Sequence, residues 1–165
     1  DLVILDLRGN VNTRLMKLDK GEYDAIILAC AGLIRLGFED RIKQPLDAQT
    51  SLPAVGQGAL GIENRKGDEA VRELIKPLID SKTMTEVLAE RAMNATLEGS
   101  CSVAIAGYAV SNGEELLLKG LVGNVESGSI LRVESTGSTS QPKALGELVA
   151  NQLLDIGAGK LLEGG

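Results

Sequence analysis

AERAMNATLEGSCSVAIAGYA, residues Ala89 to Ala109, is where the chain changes its period. Up to Leu97 the pattern is helical, with a polar helix over Thr85 to Leu97. Glu98-Gly99-Ser100 stops it, a single cysteine (Cys101) follows, and the apolar run Val103 to Val110 reads as a strand. Further strand signals lie at Leu116 to Val122 and Ile130 to Glu134. Asn112-Gly113 is a hairpin signal between the first two, and Ser127-Gly128 can turn between the second and third. Ser135 to Ser140 reads as a polar loop. Pro142 opens a last helix expected to face Leu145, Leu148, Val149 and Leu153 inward. Three antiparallel strands with helices predict a small α+β domain over 81–165.

Upstream of that domain, Ser81 starts the helix that leads to Cys101. Asp68 to Asp80 forms an amphipathic pattern with Val71, Leu74, Ile75 and Leu78 on one face, which Pro77 should bend or end. LPAVGQGALGIE, Leu52 to Glu63, holds three glycines within six residues. It lacks the Lys-Ser/Thr of a phosphate-binding P-loop. A crossover between domains, where glycines allow close backbone approach, is the better physical reading.

The first segment, Asp1 to Gln44, alternates in the α/β manner. Val3 to Leu7 reads as a strand. Asn12 or Thr13 can cap a helix that carries Val11, Leu15 and Leu18 on one face and ends at Lys20-Gly21-Glu22. Ala25 to Ala29 is fully apolar, as expected of a central strand covered on both faces. After Gly32 a second helix carries Leu33, Ile34 and Leu36 and ends at Gly37. Strand–helix–strand–helix predicts a parallel sheet. The expected organisation is 1–52 as part of an α/β domain, 53–80 as a crossover between domains, and 81–165 as the α+β domain. Asp1 to Leu5 is already a strand pattern, and a chain rarely begins inside a buried strand. The expectation is therefore the C-terminal portion of a longer protein.

Composition narrows the classes. Acidic residues outnumber basic ones by 23 to 17, giving a net charge of −6, which argues against nucleic acid as a partner. No apolar run reaches membrane-spanning length, so no membrane partner is expected. The hydrophobic share of 44% supports a real core, and aromatics at 2% make that core aliphatic. There is no histidine, so a His-based triad within this chain is excluded. With no clustered thiols either, no metal site is expected. The two cysteines, Cys30 and Cys101, lie far apart in different settings. They do not form a disulfide framework, and a reducing, cytoplasmic compartment is the default.

Two groups of residues carry possible chemistry. Cys101 is surrounded by Gly99, Ser100, Ser102 and Ala104, which leaves its thiol sterically open. It reads either as an attachment point or nucleophile, or as an inert free thiol. Cys30 follows an apolar run and opens a packed helix, so it should be buried. Arg8 ends the first strand, Arg14 lies in the first turn of the next helix, and Arg35 lies on the helix after the second strand. Ligands of open α/β sheets bind beyond the strand ends, and arginine forks bind carboxylates bidentately. The three arginines read either as an anion site or as solvated charges paired with Asp6, Asp19 or Glu39.

The Ala89–Ala109 stretch resembles the cofactor-attachment loop of the porphobilinogen deaminase (hydroxymethylbilane synthase) family, whose pattern is roughly AERAMNxxLEGGCQVPIGxYA. Ala89 to Gly99 fit without a break, and Cys101 falls on the family's cofactor cysteine. Ser100, Ser102 and Ala104 replace a glycine, a glutamine and a proline. LRGNVNTRLMKLDKGEYDAIILACAGLIRLG, Leu7 to Gly37, is similar to a family signature almost residue for residue, and LPAVGQGALGIE is a third family motif.

The resemblance implies a fold and an activity. The fold would be part of a periplasmic-binding-protein-like α/β domain, followed by a C-terminal α+β domain with a three-stranded antiparallel sheet. The activity would be that of a transferase joining four porphobilinogen molecules into hydroxymethylbilane, with release of ammonia, in tetrapyrrole (heme, porphyrin) biosynthesis. A dipyrromethane cofactor would be held covalently through Cys101. Arg8, Arg14 and Arg35 would bind the carboxylates of the cofactor and the growing pyrrole chain, and Gln57 would line the cleft. The family's catalytic aspartate lies in an N-terminal region that no residue here matches, so no catalytic residue is expected in this chain, and alone it should be inactive. The missing N-terminal polypeptide is the expected partner, and the completed enzyme is expected to be a monomer. The alternatives are a non-catalytic carboxylate- or anion-binding module, and a structural domain with a free Cys101.

Overall fold

Leu116, Leu118 and Val122 are buried and alternate with half-exposed neighbours, which is the signature of a strand with one covered face. They lie on β2 (Glu115–Gly123), the centre of a three-stranded sheet in the computed structural model, which describes residues 2–97 and 104–163. The chain divides into two compact units, Asp1–Leu46 and Asp47–Gly165.

In the second unit, β1 (Ala104–Asn112) and β3 (Ile130–Ser138) flank β2 antiparallel, in the order β1-β2-β3. The three expected strands are present; Val103, the expected start of the first, lies outside the described residues. Asn112 pairs with Glu115, so the hairpin loop is Gly113-Glu114, and Gly113 takes the left-handed φ of 61° that a primed two-residue turn needs. Asn124 Oδ1 accepts from the Ser127 N–H (2.9 Å) in the second turn. The expected polar loop over Ser135 to Ser140 is mostly strand, because β3 runs through Ser138. Polar residues are tolerated there because β3 is an edge strand with an exposed face. Ser135, on the helix side, donates its hydroxyl to Gln152 Oε1 (2.7 Å).

Helices α4 (Ser81–Thr96) and α5 (Pro142–Asp155) pack on each other and on the sheet, α4 mainly against β1, and α5 against β2 and β3. Asp80 caps α4 by accepting from the Thr83 N–H (2.7 Å), and Pro142 opens α5 as expected. Met93 of α4 sits fully buried amid Leu116, Leu118, Val149 and Leu153. Leu145, Val149 and Leu153 face inward as expected, but Leu148 is 46% exposed. The buried stripe of α5 also takes in Gly146 and Ala150, which turns Leu148 to the outside. Gly146 marks a close crossing: a Cβ there would collide with the Ala89 carbonyl and stand 2.7 Å from Ala92 Cβ. A short α6 (Ala158–Glu163), absent from the sequence reading, follows.

The start of this unit leads to the sheet. Asp47 Oδ1 accepts from the amides of Thr50 (2.7 Å) and Gln49 (3.1 Å). Val55 packs on the core, and the Pro53 carbonyl accepts from the Gly107 N–H of β1 (3.1 Å). The amphipathic segment forms α3 (Glu69–Ile75), capped by Asp68, and then a 3₁₀ turn over Lys76–Leu78, where Pro77 ends the α-helix. Its Leu74 and Leu78 are exposed.

In the first unit, α1 (Val11–Asp19) is capped by Asn10, not by Asn12 or Thr13. Asn10 Oδ1 accepts from the Thr13 N–H (2.9 Å) and hydroxyl (3.0 Å), so Thr13 is the capped residue and not the cap. Helix α2 (Cys30–Arg35) begins before Gly32, and a 3₁₀ turn over Glu39–Arg41 follows. Leu15 and Leu33 are buried, whereas Ile34 and Leu36 are exposed. Gly21 and Gly37 end the two helices with positive φ, as expected. Val3–Leu7 and Ala25–Ala29 are not strands, and no parallel sheet forms among the described residues. A strand exists only where its amides and carbonyls meet a paired neighbour. Among the described residues Tyr23 Oη–H donates to the Asp6 carbonyl (2.7 Å) without forming a ladder, and Val3 (82%), Ile4 (87%) and Ile27 (79%) stand exposed. Cys30 is half-buried, not buried, because it opens a six-residue helix in which only Leu33 is buried.

Candidate functional site

The Arg8-Gly9-Asn10 turn gathers basic groups. Gly9 adopts φ 127°, and a Cβ on it would come within 2.9 Å of Thr13, so the turn into α1 calls for glycine. Arg14 Nε donates to the Gly9 carbonyl (2.7 Å), and Lys17 Nζ donates to the Arg8 carbonyl (3.3 Å). Arg14 and Lys17, one turn apart on α1, thus reach the two successive carbonyls of Gly9 and Arg8. The Arg8 side chain itself is exposed, with a loose ion pair to Asp6 (3.7 Å). Such exposed pairs contribute little, so its guanidinium remains accessible. Asp19 is taken up by Arg41, not by one of the three site arginines. Arg35 is the last residue of α2 and is exposed; among the described residues no hydrogen bond or ion pair joins it to the Arg8–Arg14 group. Lys17 was missed in the sequence, although its spacing of three from Arg14 was a usable signal.

This donor set fits an organic anion. The N-terminal amides of α1 and the guanidinium of Arg14 lie around one turn, which favours carboxylate groups over cations. Among the described residues no group of three metal-ligating side chains exists, and no helix is long and apolar enough to cross a membrane.

In the second unit, Gln57 is exposed in the Val55–Gly58 turn, whose Gln57 N–H donates to the Ala54 carbonyl (2.9 Å). The adjacent Gly56 N–H donates to Glu90 Oε2 (2.7 Å), and the Ala109 N–H of β1 donates to Glu90 Oε1 (2.9 Å). Glu90 is only 6% exposed. Burial pushes its carboxyl above the usual glutamate range, against the pull of those two amides; neighbouring Glu86 adds to the rise. Sequence reading passed over Glu90. The available signal was its place on the inward stripe Glu90, Met93, Leu97, where a charge is unexpected. Cys101 lies outside the described residues, with the rest of 98–103.

Two domain models match this chain in succession: "Porphobilinogen deaminase, dipyromethane cofactor binding domain" over residues 1–73, and "Porphobilinogen deaminase, C-terminal domain" over 84–155. Among its relatives, a porphobilinogen deaminase of Ruthia magnifica subsp. Calyptogena magnifica is 61% identical over 163 residues, which are 99% of this chain and 54% of that protein. One of Vesicomyosocius okutanii subsp. Calyptogena okutanii (strain HA) is 58% identical over the same shares. The chain spans about half the length of these relatives. A free-standing anion-binding module is not favoured by such matches. With both domain models in order and high identity along nearly the whole sequence, the chain belongs to the porphobilinogen deaminase family.

Proposed function

We propose that this chain is part of a hydroxymethylbilane synthase, a transferase that condenses four porphobilinogen molecules head to tail and releases ammonia. The observation that carries the reading is the 61% identity over 99% of the chain to a porphobilinogen deaminase. The remaining half of the enzyme is supplied by further polypeptide of the same protein. In that setting 1–52 belongs to one periplasmic-binding-protein-like α/β domain, 53–80 returns toward another, and 81–165 is the C-terminal domain. The exposed apolar segments Val3–Leu7 and Ala25–Ala29 pair with strands of that further polypeptide. The complete enzyme is a cytoplasmic monomer.

Each residue has a defined task. Arg8, Arg14 and Arg35 bind acetate and propionate carboxylates, using planar forks that remain charged throughout. Arg14 is held for this by the Gly9 carbonyl. Gln57 contacts the pyrrole chain from an exposed turn. Cys101 holds the dipyrromethane through a thioether, a bond that a soft thiolate forms and a hydroxyl does not. When bound, the dipyrromethane supplies the primer from which the tetrapyrrole grows. Loss of ammonia requires a carboxylate from the polypeptide beyond this chain.

The test compares this 165-residue chain with the protein completed to the length of its relatives, each incubated with porphobilinogen. The completed protein should release four ammonia molecules per hydroxymethylbilane, and the chain alone should release none. Turnover by the chain alone would refute the assignment of catalysis to the other half. A completed, folded protein that leaves porphobilinogen unchanged would refute the function.

A further inference from the structure

We propose that Glu90 is a positioning residue: its two carboxylate oxygens tie Gly56 to β1 and thereby set where Gln57 meets a carboxylate-bearing pyrrole. This rests on the reading above in one respect, that Gln57 contacts the ligand.

β1 pairs with β2 along one edge only, so alternate amides point away from the sheet. Three successive ones find acceptors outside any strand. Gly107 N–H donates to the Pro53 carbonyl, Ala109 N–H to Glu90 Oε1, and Ser111 N–H to Glu86 Oε1 (2.8 Å). Glu86 is taken up locally: it accepts from the Ser111 hydroxyl as well (2.8 Å) and stands 4.0 Å from Lys82 Nζ on its own helix. Glu90 differs, because its second oxygen holds Gly56, 34 positions away in sequence. The turn that presents Gln57 is therefore fastened to β1 twice, by Pro53 directly and through Glu90.

The two fastenings respond differently to protons. A peptide carbonyl does not titrate. An ionised carboxylate offers two acceptor oxygens, whereas a protonated one turns an O–H toward one of the two N–H donors and loses that bond. Helix α4 contributes Glu86 as the charged group acting on Glu90, while the 53–58 segment and β1 contribute backbone amides. Acid should therefore loosen the turn at Gly56 while Pro53 stays attached.

The experiment is an amide NMR titration of the 165-residue chain, followed by kinetics of the completed enzyme. In the unmodified chain, Gly56 and Ala109 should shift with one common midpoint, above the usual glutamate value. In Glu90→Gln that titration should vanish, and hydrogen exchange at one of the two amides should quicken about tenfold, the loss of one hydrogen bond. In the completed enzyme Glu90→Gln should raise KM for porphobilinogen more than it lowers kcat, and should do so only while Gln57 is present. Separate midpoints for Gly56 and Ala109, which need no variant to detect, would overturn the clamp. So would an equal kinetic effect of Glu90→Gln in Gln57→Ala and unmodified backgrounds. Normal kinetics of Gln57→Ala with the common midpoint intact would instead remove the ligand role of Gln57, and with it the purpose assigned to the clamp.

Discussion

Asp80 caps α4 and Glu90 lies on it, yet protons act on them in opposite directions. The Thr83 amide holds Asp80 below the usual aspartate range, so its charged form is favoured in the fold. Its contribution to stability is present above the unfolded pKa and is lost as pH falls through the lowered folded value. Glu90 is raised, so protonation favours the fold, and that contribution is lost as pH rises through its folded value. Asp80→Asn keeps a capping oxygen without the charge. Urea unfolding at neutral pH should show the variant less stable than the unmodified chain, with the gap closing as pH falls through the range in which Asp80 is protonated. A gap that is constant or widens in acid would contradict this. Arg8 allows a second residue test. Arg8→Lys in the completed enzyme replaces a fork with a point charge and should slow chain elongation by about tenfold or more. Unchanged elongation would remove Arg8 from the site. Arg8 and Arg14 were legible in sequence as residues beside one turn. Lys17 and Glu90 left weaker signals, a spacing and a charge on an inward stripe, because their partners are backbone groups that folding brings to them.

Among the elements, the strands of the second unit were legible because period-two alternation survives in Leu116 to Val122, where one face is buried. The end of β3 was not, because Ser135 and Thr136 look like loop residues until an edge strand and Gln152 make use of them. Val3–Leu7 and Ala25–Ala29 carry strand sequences without strand partners, and sequence composition cannot supply a neighbour. The α4–α5 contact depends on a residue that sequence reading had passed over, Gly146. Gly146→Ala would press its methyl against the backbone of α4 and force the helices apart, at a cost of about 1–3 kcal/mol. Urea denaturation should show the midpoint falling with an unchanged slope. An unchanged or higher midpoint would mean that the crossing is looser than described. Helix propensity alone favours alanine by up to about 1 kcal/mol, so the close contact must outweigh it.

At the scale of the whole molecule, Cys101 is the proposed attachment point of the primer and Cys30 a packing residue. The family was legible in three motifs, and the matched models and relatives agree with them. The strand patterns of the first segment form no sheet among the described residues, because neither Val3–Leu7 nor Ala25–Ala29 meets a paired neighbour there. The most direct measurement is the intact mass of the completed enzyme, with peptide mapping, for the unmodified protein, Cys101→Ser and Cys30→Ser. The account predicts a two-pyrrole addition on the Cys101 peptide, retained in Cys30→Ser and absent in Cys101→Ser. An addition on Cys30, or one that survives the loss of Cys101, would contradict it.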